Sequence, residues 1–145
     1  MKIVINACHG GFGLSEKAVV RYNELKGRDL WIIHDERFNW PTYSFVPPEQ
    51  RVDYNGDIFI TPKEWYTWSP EEKRNWNKSY REQTFSDYDL ERNDPILIQV
   101  IEEMGEEANS RRSELKIVEI PDDVEWQIDE YDGLEWVAEK HRTWS

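Results

Sequence analysis

Residues 2–15, KIVINACHGGFGLS, decide how the rest of the chain is read. Ile3, Val4 and Ile5 form a β-branched run of the kind that suits a buried strand. Cys8-His9-Gly10-Gly11-Phe12-Gly13 then breaks the pattern, and Ser15 stands where a helix N-cap belongs, its hydroxyl one turn before the first free backbone amides. The spacing predicts a strand over 2–7 and a helix from Glu16 to about Lys26, with Gly27 just past its end. Ala18, Val19, Tyr22 and Leu25 give that helix one apolar stripe. Leu30 to His34, LWIIH, reads as the next strand. Strand, helix and strand over this length match one βαβ unit, with parallel strands and a right-handed crossover.

Further along, Pro41, Pro47 and Pro48 punctuate an aromatic and polar stretch, so 35–90 reads as an excursion from the regular pattern. Asn55-Gly56 is a hairpin signal, followed by a short strand over 57–60. Thr61-Pro62-Lys63-Glu64 and Ser69-Pro70-Glu71-Glu72 both match a capping box with proline at the first helical position. They predict a very short helix and a longer one to about Arg81. Asp94 and Pro95 open a helix to about Asn109, with Ile96, Leu97, Val100, Ile101, Met104 and Ala108 on its core stripe; Arg92 just before it reads as an exposed cation. Leu115–Ile120 repeats the buried-strand pattern, and 124–128 alternates like a half-exposed strand. Tyr131-Asp132-Gly133 is a turn, and Leu134 to Arg142 reads as a short terminal helix. The expected architecture is α/β: a single three-layer domain over 1–145, with one mixed sheet built from 2–7, 30–34, 57–60, 115–120 and 124–128, and an aromatic-rich insertion at 35–90.

The bulk composition narrows the function classes. A chain of 145 residues suits one domain, and eight Trp, seven Tyr and five Phe are far from a disordered composition. No apolar run is long enough to span a bilayer, and the apolar segment before Asn6 is too short for a secretory signal. Cys8 is the only cysteine, which rules out an intrachain disulfide and points to a cytoplasmic setting. The formal charge of −12 repels phosphate backbones and anionic membranes, so neither nucleic acid nor membrane is an expected direct partner. The same charge suits a protein that grips a basic partner, in the manner of a DNA mimic.

The strand-to-helix loop is the strongest site signal, because open α/β sheets bind ligands at the carboxyl ends of their strands. Glycines allow backbone with φ > 0 and close approach, and helix N-terminal amides favour an anion. The expected ligand-binding set is Asn6, His9, Gly10, Gly11, Phe12, Gly13 and Ser15. No Gly-Lys-Ser/Thr follows, so this is not a P-loop. Cys8 and His9 are adjacent, but neighbours in extended chain point to opposite faces and do not form a nucleophile–base pair. His9 is the better acid–base or ligand contact, with His34 and His141 able to converge on it. Glu102 and Glu106, and Glu103 and Glu107, sit four apart on the helix from Pro95, a spacing that serves metal binding, acid–base work or a solvated face. No metal-ligand motif and no cofactor signature is present. The aromatic stretch around Trp65, Trp68 and Trp76 suits packing, self-association, a lid, or stacking of a base or sugar.

KIVINACHGGFGLSEKAVVRYNELKG and the C-terminal stretch ending EYDGLEWVAEKHRTW resemble a family of small bacteriophage and prophage proteins. The resemblance implies expression in a host cytoplasm and action on host defence or metabolism, without assigning an activity. Residues and setting together lead to an expected accessory protein that binds, and can sequester, a phosphorylated nucleotide-like molecule. Two other classes stand beside it: an acidic inhibitor working through its surface, and a small hydrolase using His9 and the helix carboxylates.

Overall fold

The computed structural model describes residues 1–56 and 58–140. The strands are β1 (Lys2–Asn6), β2 (Trp31–Ile33), β3 (Thr42–Ser44), β4 (Tyr54–Asn55), β5 (Ile58–Phe59), β6 (Thr84–Phe85), β7 (Leu115–Glu119), β8 (Trp126–Tyr131) and β9 (Leu134–Glu139). The helices are α1 (Glu16–Leu25), α2 (Pro70–Gln83) and α3 (Pro95–Met104). The chain is α/β and separates into two compact units: Met1–Lys26 with the chain from Asp87 onward, and Gly27–Ser86.

In the first unit β1 pairs antiparallel with β7, Ile3 opposite Val118 and Ile5 opposite Lys116. The expected parallel βαβ unit is therefore absent: β2 belongs to the other unit and pairs with β3. One mixed sheet is likewise replaced by separate antiparallel ladders. Ser15 caps α1 as expected, accepting from the Ala18 amide at 3.2 Å, and Asp94 caps α3 through the Ile96 amide at 2.8 Å. Ala18, Val19 and Tyr22 of α1 meet Leu97, Val100 and Ile101 of α3 in a core that also takes Ile3, Val4 and Ile5. The α-helix ends at Met104, where Gly105 takes φ +59°, and a 3-10 turn continues to Ala108.

The C-terminal segment departs furthest from expectation. Leu134–Glu139 is a strand, not the start of a helix; residues 141 and 142 of the expected helix lie outside the described residues. Asp132 (φ 49°) and Gly133 (φ 85°) both occupy the left-handed region, as a type I′ hairpin turn demands. β8 and β9 consequently pair from Trp126–Glu139 to Tyr131–Leu134. Glu135 points inward and is buried. Its carboxylate receives the Asn6 amide at 2.8 Å and both terminal nitrogens of Arg92, at 2.6 and 2.9 Å. Arg92, expected as an exposed cation, is thus a half-buried clamp, and its guanidinium also covers the Phe12 ring at 3.5 Å.

The second unit contains a three-stranded antiparallel sheet, β2-β3-β6, and the β4–β5 hairpin, with Gly56 at φ +70°. Ser69 caps α2 as read, accepting from the Glu72 amide at 3.2 Å. The segment after Thr61 forms a 3-10 turn over Lys63–Thr67 without a side-chain cap. Phe85 is the only buried apolar side chain among this unit's described residues. Arg51 and Asp53 are buried as a bidentate pair at 2.9 and 2.7 Å, with the Arg51 guanidinium over the Phe59 and Tyr80 rings.

Removing one partner of a buried ion pair strands the other charge. Glu135→Ala therefore destabilises the protein by about 3 kcal/mol in urea denaturation. An Arg92→Met/Glu135→Leu double variant loses less than the sum of its single changes.

Candidate functional site

Asn6 closes β1 and is fully buried. Its side-chain nitrogen donates to the Cys8 and Gly133 carbonyls, each at 2.8 Å. Its side-chain oxygen accepts from the Glu114 amide at 2.8 Å and the Cys8 thiol at 3.3 Å. An amide has two donors and one two-lone-pair acceptor, so Asn6 is fully engaged within the protein.

The loop that follows is knitted to 107–113. The Gly11 amide donates to the Arg112 carbonyl at 3.0 Å, and the Ser15 amide to the Ala108 carbonyl at 2.9 Å. The Ser113 hydroxyl donates to the Gly13 carbonyl at 2.7 Å, and the Ser15 hydroxyl to that of Glu107 at 2.6 Å. The Leu14 amide donates to the Asp87 carboxylate at 2.8 Å. The anion held by this loop is thus the protein's own. Burial pushes the Asp87 carboxyl above the usual aspartate range, against the opposing pull of the Leu14 amide and, more weakly, Arg92.

The loop glycines do not take the left-handed conformation; positive φ occurs instead at Gly27, Gly56, Gly105 and Gly133. Gly10 is needed for proximity, since a Cβ there would lie 1.7 Å from the Arg112 carbonyl oxygen. Gly133 has a second constraint besides its φ, because its Cβ would meet the Gly10 carbonyl oxygen at 2.7 Å. Gly11 faces open space. Of the expected set, His9 and Gly10 are exposed, Gly11 and Ser15 half-buried, and Asn6, Phe12 and Gly13 buried.

The other expected constellations are dispersed. The Cys8 thiol lies within hydrogen-bonding distance of two acceptors, the Asn6 side-chain oxygen at 3.3 Å and the Arg112 carbonyl at 3.2 Å. His34 directly follows β2 in the second unit, and His141 lies outside the described residues. Glu102 pairs with Lys2 at 2.7 Å and Glu103 with Arg21 at 2.9 Å, while Glu106 and Glu107 are exposed. No grouping of His, Cys, Asp and Glu suited to a metal ion occurs among the described residues. Among them, too, no helix is long and apolar enough to cross a membrane.

The β8–β9 hairpin presents a surface that the helical reading of 134–142 concealed. Alternation places Gln127, Asp129 and Tyr131 with Leu134, Trp136 and Ala138 on the face opposite Glu135. Tyr131 is 73% and Trp136 43% exposed. Between Pro121 and Glu139 the chain carries eight Asp and Glu and no Lys or Arg. The Asp132-Gly133 dipeptide between two alternating segments was the available signal for this hairpin.

No family model, curated protein or solved structure matches the chain. Its functional reading rests on its own geometry.

Two substitutions separate close approach from conformational freedom. Gly10→Ala lowers stability by about 2 kcal/mol or more, whereas Gly11→Ala stays within about 0.5 kcal/mol, in parallel thermal melts. Asp87 gives a pH signature. Its carboxyl is raised on folding, so its favourable contribution exists below the unfolded value and is lost as pH rises through the folded one. Asp87→Asn keeps an acceptor for Leu14, and its Tm relative to the parent protein is higher at neutral pH than in acid below the ordinary aspartate range.

Proposed function

We propose that the protein is a phage-type accessory protein that engages and inhibits a positively charged protein partner through the outer face of its β8–β9 hairpin. The observation that carries this reading is the pairing of exposed Tyr131 and Trp136 with a segment containing acidic residues and no basic ones. Asp129 lies directly across the ladder from Trp136, and Tyr131 across from Leu134. A carboxylate beside an exposed aromatic ring suits an arginine guanidinium, which stacks on the ring while pairing with the acid. Aromatic anchors of this kind dominate binding energy, whereas diffuse charge sets approach and partner choice.

The nucleotide-binding alternative depends on amides free to hold phosphate. In the loop those of Gly11, Leu14 and Ser15 already serve internal acceptors, and one acceptor is the Asp87 carboxylate. Another carboxylate, that of buried Glu135, holds Asn6 and Arg92. This chemistry favours the surface reading over the pocket reading.

An oligoarginine peptide is the probe. It binds the full chain in low salt, weakens steeply as salt is added, and loses about 2 kcal/mol, roughly thirtyfold, when Tyr131 and Trp136 are both changed to Ala. Titration calorimetry reads all three effects. Equal binding by the double variant reduces the interaction to diffuse charge and overturns the hairpin assignment. Saturable ATP binding that His9→Ala abolishes returns the function to the loop.

A further inference from the structure

β8 pairs with β9 along one edge, and among the described residues no strand covers its other edge. The Lys140 amide donates to the Glu125 carbonyl at 2.9 Å, one step beyond the Trp126–Glu139 pair. Hydrogen-bonded and non-hydrogen-bonded pairs alternate along an antiparallel ladder. Gln127, Asp129 and Tyr131 therefore bond to β9, while Trp126, Ile128 and Glu130 direct their N–H and C=O groups to the open edge. Among the described residues these backbone groups have no hydrogen-bond partner. An unpaired row of this kind is a template for another extended chain.

The side chains along the edge favour a basic one. Glu125 and Asp129 belong to the outer face with Gln127 and Tyr131, and Glu130 to the opposite face with Trp126 and Ile128. The Gln127 side-chain amide donates to Asp129 at 2.9 Å, which orients that carboxylate on the outer face. Of the acidic side chains between Pro121 and Glu139, Asp122 pairs with the N-terminus and Glu135 with Arg92. Glu125, Asp129 and Glu130 make no ion pair among the described residues. A second copy of the chain fits the edge poorly. Two such segments would meet with no Lys or Arg between Pro121 and Glu139 to offset their carboxylates.

We infer that the β8 edge takes an extended basic segment of a protein partner as an added antiparallel strand, which rests on the reading of this hairpin as a basic-protein site. Backbone pairing at an edge supplies affinity, and side chains at alternate positions supply choice. Residues of the added strand opposite Trp126, Ile128 and Glu130 exchange backbone hydrogen bonds with the edge, and those opposite Gln127 and Asp129 do not. An arginine opposite Asp129 stands on the outer face, with Cβ atoms about 5 Å apart. Partner arginine, Asp129 and Trp136 then lie in one row across three strands. An apolar residue opposite Ile128 continues the half-covered opposite face.

The probe is a capped peptide of alternating arginine and valine, acetyl-Arg-Val-Arg-Val-Arg-Val-Arg-amide, titrated into the full chain. On binding, the amides of Trp126, Ile128 and Glu130 gain protection from hydrogen exchange, read by NMR. N-methylation at two valines removes donors that face the edge without changing charge, and weakens binding by about tenfold or more. N-methylation at the two central arginines, whose amides face away, leaves affinity within about twofold. Equal affinity of the two methylated peptides, or the reverse order, overturns the inference. So does protection of the same amides by self-association of the chain as its concentration rises. The outer-face reading fails separately: Tyr131→Ala/Trp136→Ala would then bind the unmodified peptide normally, with the difference between the methylated peptides intact. If that variant loses affinity while the methylated peptides bind alike, the face stands and the edge does not.

Discussion

β1 has two hydrogen-bonding edges and, among the described residues, one partner strand. β7 takes one edge. On the other, the Val4 amide reaches the Arg92 carbonyl, the Val4 carbonyl receives Arg92 Nη1, and the Asn6 amide reaches the Glu135 carboxylate. A buried strand cannot leave these groups unpaired, because each unsatisfied donor or acceptor carries its full desolvation penalty. Glu135 is thus both the acceptor that finishes the strand and the counter-charge that permits Arg92 to lie half-buried against Phe12. The inward placement of Glu135 in turn sends Trp136 outward, since adjacent residues of a strand face opposite ways.

The same constraint shapes the glycine-rich loop. Its features resemble an anion cradle: a buried strand before it, a capped helix after it, and glycines that admit close approach. Gly10 uses that freedom to admit the Arg112 carbonyl, and the Leu14 amide donates to the Asp87 carboxylate. The Gly11, Leu14 and Ser15 amides donate to internal carbonyls and one carboxylate. What remains outward is the edge formed by His9 and Gly10.

The second unit follows a different physical scheme. It has little aliphatic core, and Arg51 lies under aromatic rings with Asp53 as its counter-ion. Aromatic clusters that are only half covered can hold a short helix in place while keeping ring surface available.

Local sequence determined the elements whose signals are contained within one turn. Ser15, Ser69 and Asp94 cap their helices because the capping hydroxyl or carboxylate and its amide are only two or three residues apart. The runs at 3–5 and 115–119 are strands, the first buried and the second, expected buried, only partly covered, and the apolar stripes of α1 and α3 find each other. Tertiary structure decided the rest. Antiparallel pairing of β1 with β7 joins segments more than a hundred residues apart, so no local spacing could distinguish it from a parallel βαβ unit. Arg92, Asp87 and Glu135 acquire their roles from partners 43, 73 and 129 residues away in the chain. Leu134–Glu139 is rich in helix formers, yet the Asp132-Gly133 turn and the need of Asn6 and Arg92 for a carboxylate hold it extended, since leaving a half-buried Arg92 and a buried amide unpaired costs more than the few tenths of a kcal/mol per residue that propensity supplies.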